Sequence, residues 1–156
     1  MWEFYPPTRM LERLQPPGTM DNRPWLQHYD PGVPQVAKFE DVPVPQFLER
    51  TAGTHPDVTA LVFLNGRLSY RELKDQVDRL ATALAALGVA KDSRVAIQLP
   101  NLPQTVIAYY ATLRLGAQAV LTNPLYTTRE MEHPWKDAGC RVAIVTDFTF
   151  DQKIKD

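Results

Sequence analysis

Residues 94–124, RVAIQLPNLPQTVIAYYATLRLGAQAVLTNP, decide the fold, because they read as strand, helix, strand. Residues 94–99 form a short apolar run with Val95 and Ile97, ended by Pro100, the pattern of a strand buried on both faces. Residues 104–115 are apolar around most of a helical circumference, with Pro103 suited to the first turn and Gly116 to the position after the last. Residues 117–121 then return to a strand. A crossover of this kind joins parallel strands and is nearly always right-handed.

Working outward toward the C-terminus, Thr127 and Glu130 have the spacing of a capping box and open a short charged helix. Pro134 falls inside it, where the lost hydrogen bond and the ring clash predict a kink or a stop near His133. Residues 141–146, RVAIVT, are a β-branched strand, and 148–156 begin another helix. Toward the N-terminus, Ser69 and Glu72 form a second capping box. The helix they open carries Tyr70, Leu73, Val77, Leu80, Ala81, Leu84 and Leu87 on one face and ends at Gly88. Such a stripe is expected to cover its own sheet. Residues 59–64 are a strand, and Asn65-Gly66 is the preferred pair for a tight turn returning through residues 67–69. Residues 45–54 make a short helix with Phe47, Leu48 and Thr51 on one side.

Nine of the fourteen prolines lie in the first 45 residues, each removing a backbone donor. Residues 1–44 are therefore expected to form an extended Pro-rich arm, whose Trp2, Phe4, Tyr5, Trp25, Tyr29 and Phe39 would gain by lying on a folded surface. Packing is expected from about Trp25 onward. Met20 could be a start of its own, which would make residues 1–19 an upstream extension. The expected class is α/β: a partial layered domain with a mostly parallel sheet flanked by helices, plus one antiparallel hairpin.

With 156 residues, 44% hydrophobic content and a net charge of -1, the chain has the composition of one globular domain and no field to steer nucleic acid. The lone Cys140 excludes an internal disulfide, fits a reducing cytoplasm and is expected to be a buried structural thiol. No apolar run is long enough to span a bilayer, and the N-terminus lacks the apolar core of a secretory signal.

In doubly wound sheets ligands bind where strands end and helices begin, which directs attention to the loops after Leu99, Leu121 and Thr146. The first of these is PNLP, with no glycine to bring amides to a phosphate and two prolines that remove donors. The seven glycines are scattered singly, so no phosphate-loop pattern exists. His28, His55 and His133 lack ligand spacing around Cys140, and the cluster of Glu130, Glu132 and His133 reads as an exposed helix face. Ser69 is accounted for by its cap, and nothing pairs Asp137, Asp147 or Asp151 with a catalytic partner. No catalytic, cofactor-binding or metal residue is assigned.

Several stretches, taken in order, carry a resemblance: RPWLQHYDPGVP at 23–34, HPD at 55–57, TALVF at 59–63, LSYRELKDQVDRLATALAALGV at 68–89, RVAIQLPN at 94–101, IAYYATLRLGA at 107–117 and TNPLYTTREMEH at 122–133. From Arg23 to Asp147 the chain resembles the N-terminal region of the AMP-forming acyl-CoA synthetases, especially bacterial long-chain fatty-acid–CoA ligases. HPWKDAGC at 133–140 departs from that family's pattern.

The resemblance implies an acid–thiol ligase that activates a carboxylic acid with ATP and Mg²⁺ to an acyl-adenylate and transfers the acyl group to coenzyme A. On that reading residues 45–156 are a truncated N-terminal subdomain of an adenylation domain, inactive alone, with ATP, Mg²⁺ and coenzyme A belonging to the full-length family and to no position here. The family's phosphate loop, adenine and Mg²⁺ motifs and mobile C-terminal domain are absent. The implied partner is the remainder of a ligase chain. The alternative is a stand-alone interaction or dimerisation module that pairs with a second copy through an exposed sheet edge. A cytoplasmic location is expected, with peripheral membrane association open to the full-length family.

Overall fold

A computed structural model describes residues 23–34, 36 and 39–155. Two compact units are distinguished, Met1–Asp41 and Val42–Asp156. The expectations for Trp2, Phe4, Tyr5, Met20 and an extension over 1–19 lie outside the described residues. In the first unit the regular element is a single 3₁₀ turn, Pro24–His28, in which no residue is buried. The Leu26 N–H donates to the Arg23 carbonyl at 3.0 Å and the Val33 N–H to that of Asp30 at 3.1 Å. Trp25, Tyr29 and Phe39 are all exposed. Within this unit, the 3₁₀ turn buries none of its own residues.

The second unit begins with helix α1 (Val44–Thr54), followed by strands β1 (Thr59–Phe63) and β2 (Gly66–Ser69), helix α2 (Tyr70–Ala86) and strand β3 (Arg94–Gln98). Helix α3 (Pro103–Arg114), strand β4 (Gln118–Leu121), helix α4 (Thr128–Ala138) and strand β5 (Val142–Val145) come next. A helical turn, Asp147–Thr149, then runs into a π-helical segment, Phe150–Ile154. β1 and β2 form an antiparallel hairpin, and β4, β3 and β5 form a parallel sheet in that order. With β4 on one side of β3 and β5 on the other, right-handed crossovers place α3 and α4 on opposite faces of the sheet.

The core is built on β3. Val95, Ala96 and Gln98 are 0% exposed and Ile97 is 1% exposed. Alternation sends Val95 and Ile97 toward the cluster containing Leu48, Leu73, Val77, Leu84 and Ile107, and leaves Ala96 and Gln98 on the other face. Full burial of a side chain the size of Ile97 contributes about 1.5–3 kcal/mol. α3 meets this core through Ala108, Ala111 and Thr112, which share one helical stripe and are fully buried. Their small size allows close approach, and the Thr112 hydroxyl is satisfied by donating to the Ala108 carbonyl at 2.8 Å. Of the stripe expected on α2, Leu73, Val77, Ala81 and Leu84 are buried and Tyr70 and Leu80 partly so, while Leu87, past the end of the helix, is exposed. On α1 the buried pair is Leu48 and Ala52, while Phe47 is half exposed. At the rim, Arg114 of α3 pairs with Glu49 of α1 and, at 3.0 Å, with Asp78 of α2. One-third exposure keeps that ion-pair network a modest contributor.

The hairpin turn lies one residue earlier than the Asn65-Gly66 pair predicts. Phe63 pairs with Gly66, so the two loop residues are Leu64 and Asn65, and Leu64 carries the positive φ of 51°. The register is set by packing: Leu61 opposes Leu68, and Leu61 reaches the core cluster. Placing Asn65-Gly66 in the loop would shift that pairing and lose the apolar opposition.

Of the kink or stop expected near His133, the stop does not occur: α4 continues through Pro134 to a left-handed cap at Gly139. Tertiary anchors explain this. Met131 is buried, and the Trp135 indole N–H donates to the Thr122 hydroxyl at 2.8 Å. The helix expected over 148–156 is realised from Asp147 as a capped turn and a π-helical segment.

Both capping boxes form. The Glu72 carboxylate accepts from the Ser69 backbone N–H at 2.7 Å, and the Glu130 carboxylate accepts from that of Thr127 at 2.8 Å. The backbone and hydroxyl hydrogen bonds from Ser69 hold the Glu72 pKa below the ordinary 4.5, with Arg71 adding to the shift.

Three outcomes are expected. Because α4 tolerates Pro134 at the cost of a hydrogen bond, Pro134→Ala should stabilise the chain by roughly 1–3 kcal/mol in urea unfolding, and a loss of stability would show that the ring is used for packing. Leu64→Gly should raise stability by about 0.5–1 kcal/mol, since glycine relieves the left-handed strain at an exposed site. The folded-state pKa of Glu72 is depressed, so its contribution is present above the unfolded pKa and lost as pH falls through the folded one. Glu72→Gln should therefore be less stable than wild type at neutral pH, with the gap closing below pH 4.5; a gap independent of pH would refute a charged cap.

Candidate functional site at the carboxyl ends of the parallel strands

The turn after β3 closes on itself. Leu102 N–H donates to the Pro100 carbonyl at 2.8 Å, Thr105 N–H to that of Leu102 at 3.0 Å, and the Thr105 hydroxyl also to that of Pro100. Pro103 at the start of α3 has no amide to offer. In the first turn of α3, Pro103 thus offers no amide and the Thr105 amide is already used.

The loop after β4 is held from three sides. Gln98, fully buried, donates its amide Nε2 to the Asn123 carbonyl at 3.0 Å, while its Oε1 has no partner among the described residues. The Thr122 hydroxyl accepts the Trp135 indole N–H, and Thr122 N–H extends the parallel ladder to the Ile97 carbonyl at 2.9 Å. Lys153, from the C-terminal segment, donates to the carbonyls of Tyr126 at 2.5 Å and Pro124 at 3.4 Å. Asn123 Oδ1 accepts the Leu125 N–H at 2.9 Å in an Asx turn. The loop therefore has one defined path, with Leu125 and Tyr126 left exposed.

After β5, the Thr146 hydroxyl caps the following turn by accepting from Thr149 N–H at 3.1 Å, and Asp147 is exposed. An open cleft of about 660 Å³ lies between α2, the start of α3 and the end of β5. Its floor is apolar, including Leu80, Leu99, Leu102 and Ile144, and its rim carries Arg79 and Asp147. Arg79 is paired with Asp75 at 2.9 Å. A second cleft, of about 610 Å³, follows β5 past Leu84, Leu87 and Phe150.

The groups weighed for chemistry are dispersed or occupied. His55 contacts the Thr54 hydroxyl at 2.8 Å and His28 the Gln27 amide at 3.4 Å. Glu130 is engaged by its capping box, and Glu132 by Lys136, whose hydrogen bond and charge lower its pKa. Among the described residues no three His, Cys, Asp or Glu side chains come together as a possible metal site. Cys140 is half-buried rather than fully buried, and desolvation raises its pKa against an opposing effect from Arg94, which disfavours the reactive thiolate. No described helix is long and apolar enough to cross a membrane.

Gln98, Trp135 and Lys153 were not legible as loop-holding residues. Gln98 leaves one trace in the sequence, as the polar residue in the RVAIQL run. Trp135 and Lys153 leave none, since their partners lie 13 and 27–29 residues away.

Comparison with known proteins agrees with this geometry. The AMP-binding enzyme family matches residues 48–156. The long-chain-fatty-acid–CoA ligase of Bacillus subtilis is 38% identical over 85% of this chain and 24% of its own length. Triostin synthetase I of Streptomyces triostinicus is 32% identical over 80% of the chain and 24% of its own length. The chain spans about a quarter of the length of these relatives. Among solved structures, the N-terminal subdomain of Klebsiella oxytoca NpsA in complex with anthranilyl-AMSN superposes with a TM-score of 0.64 at 31% identity, over 68% of this chain and 28% of that one. An artificially fused NpsA-ThdA di-domain gives a TM-score of 0.67 at 30% identity, over 71% of this chain and 21% of that one. With the family model matched over residues 48–156 and relatives above 30% identity over most of its length, the chain belongs to the AMP-binding enzyme family.

Proposed function

We propose that residues 45–156 are the N-terminal scaffold of the adenylation domain of a fatty-acid–CoA ligase, preceded by a Pro-rich arm through residue 44, and that the 156-residue chain does not catalyse the reaction alone. The observation that carries this reading is the similarity to a long-chain-fatty-acid–CoA ligase across most of the chain, combined with strand-end loops whose polar groups bond to one another. The reaction would convert a carboxylic acid and ATP, with Mg²⁺, to an acyl-adenylate and then to a coenzyme A thioester. In this reading ATP, Mg²⁺ and coenzyme A are held by other segments, and the part played here is to set the sheet, its helices and the Thr122–Tyr126 loop in place. The choice of a fatty acid rests on the ligase relatives alone, since the scaffold is shared with Triostin synthetase I and with NpsA, which was solved with an anthranilyl ligand. We also propose a cytoplasmic location, with which a lone unpaired cysteine is compatible.

One observation favours a second reading. β5 is an end strand of the β4-β3-β5 sheet, so its outer backbone edge is unpaired within the described residues. An unpaired edge seeks a partner, which would be the remainder of a ligase chain or a second copy acting as a dimerisation module.

The purified 156-residue chain, assayed with ATP, Mg²⁺ and a panel of fatty acids, is expected to release no pyrophosphate above background. Acid-dependent release would overturn the scaffold reading.

A further inference from the structure

We propose that the amino end of the parallel sheet carries an anion site in which Arg94 and Arg141 together hold a phosphate group. This end lies opposite the strand-end loops described above. Val95 of β3 pairs in parallel register with Val142 of β5, so Arg94, which begins β3, and Arg141, which immediately precedes β5, enter the sheet side by side. Paired strands run about 4.7–4.9 Å apart, so the two side chains start from neighbouring backbone positions. Both residues are exposed, and neither joins an ion pair or a side-chain hydrogen bond among the described residues. Neighbouring like charges repel. The register therefore imposes a repulsion that a bound anion would relieve.

Both arginines line one cleft of about 710 Å³, together with Lys91, Asp92 and Ser93. Three cations and one carboxylate thus share its lining, on a chain whose net charge is -1. The loop that carries them is held in place. A Cβ added at Gly116 would meet the Lys91 Cγ at 3.3 Å, so the lysine stem lies against that turn, and the Asp92 N–H donates to the Gly116 carbonyl at 3.0 Å. The Ser93 hydroxyl accepts the Ala90 N–H at 3.0 Å and keeps its own proton to donate. The charge of Arg94 reaches the turn before β5: desolvation raises the pKa of Cys140, the neighbour of Arg141, and Arg94 draws it partly back. A guanidinium offers parallel N–H donors that match two phosphate oxygens. Two of them suit the double charge of a phosphate monoester or pyrophosphate better than the single charge of a carboxylate. A soluble phosphate compound and a phosphomonoester lipid headgroup offer the same chemistry.

The test is isothermal titration calorimetry of the 156-residue chain with inorganic pyrophosphate at low salt, beside co-sedimentation with phosphatidylcholine vesicles with and without phosphatidic acid. The variants are R94Q, R141Q and R67Q, the last removing an equal charge from β2, outside the cleft, with circular dichroism to verify folding. Wild type is expected to bind in at least one arm, more weakly as salt is raised, and the arm that responds names the source of the phosphate. R94Q and R141Q should each weaken that binding by about tenfold or more, and R67Q by less than about twofold. If a glutamine variant does not fold, R94K or R141K replaces it: charge and stem are kept, the planar fork is lost, and binding should still fall. Absence of binding in both arms overturns the site. Binding indifferent to the two arginines, or weakened as much by R67Q, overturns it as well, and a loss confined to one of the two overturns their joint role.

Discussion

The structure depends on the burial of β3 from both faces. A strand with parallel neighbours on each side and helices above and below has no route to water, so each of its side chains must match what it meets. Val95 and Ile97 meet that requirement on one face with aliphatic volume, and Ala96 meets it on the other by being small. The positions of β4, β5 and α3 follow from this strand. β4 and β5 complete its hydrogen bonds, and the Ala108, Ala111 and Thr112 stripe lets α3 come close enough to cover it. α1 and α2 then close the same core from outside, with Arg114 tying the three helices at the solvent rim.

The carboxyl end of the sheet is where a fold of this type carries function, yet its polar groups are spent on local order. Gln98 and Trp135 hold the backbone and the hydroxyl of the loop after β4, and Lys153 draws the C-terminal segment onto the same loop. In the turn after β3 the Leu102 and Thr105 amides bond within the turn. The Gln98 Oε1 is buried and has no hydrogen-bond partner among the described residues, an arrangement that costs free energy.

Sequence reasoning and structure part company where two local signals compete. Asn65-Gly66 is the stronger turn pair, but the contact of Leu61 with the core selects the register and moves the loop to Leu64-Asn65. Pro134 is a strong helix breaker, but a buried methionine one turn before it and an anchored tryptophan just after it carry α4 through. In each case a local preference of about 1–3 kcal/mol is outweighed by burial and hydrogen bonding to residues distant in the chain. Cys140 shows the same effect in milder form, being left half-buried at the start of an edge strand.

By itself the sequence determined the class of fold, the parallel crossover of residues 94–124, both capping boxes, the α2 stripe and the lack of a phosphate loop in PNLP. These depend on periodicity and on residues a few positions apart, which the chain displays directly. Only the tertiary structure decided the hairpin register, the continuity of α4, the loop-holding roles of Gln98, Trp135 and Lys153, and the order β4-β3-β5 of the described sheet. Those are set by contacts between segments far apart in the chain, whose strength depends on burial and geometry that no local pattern encodes.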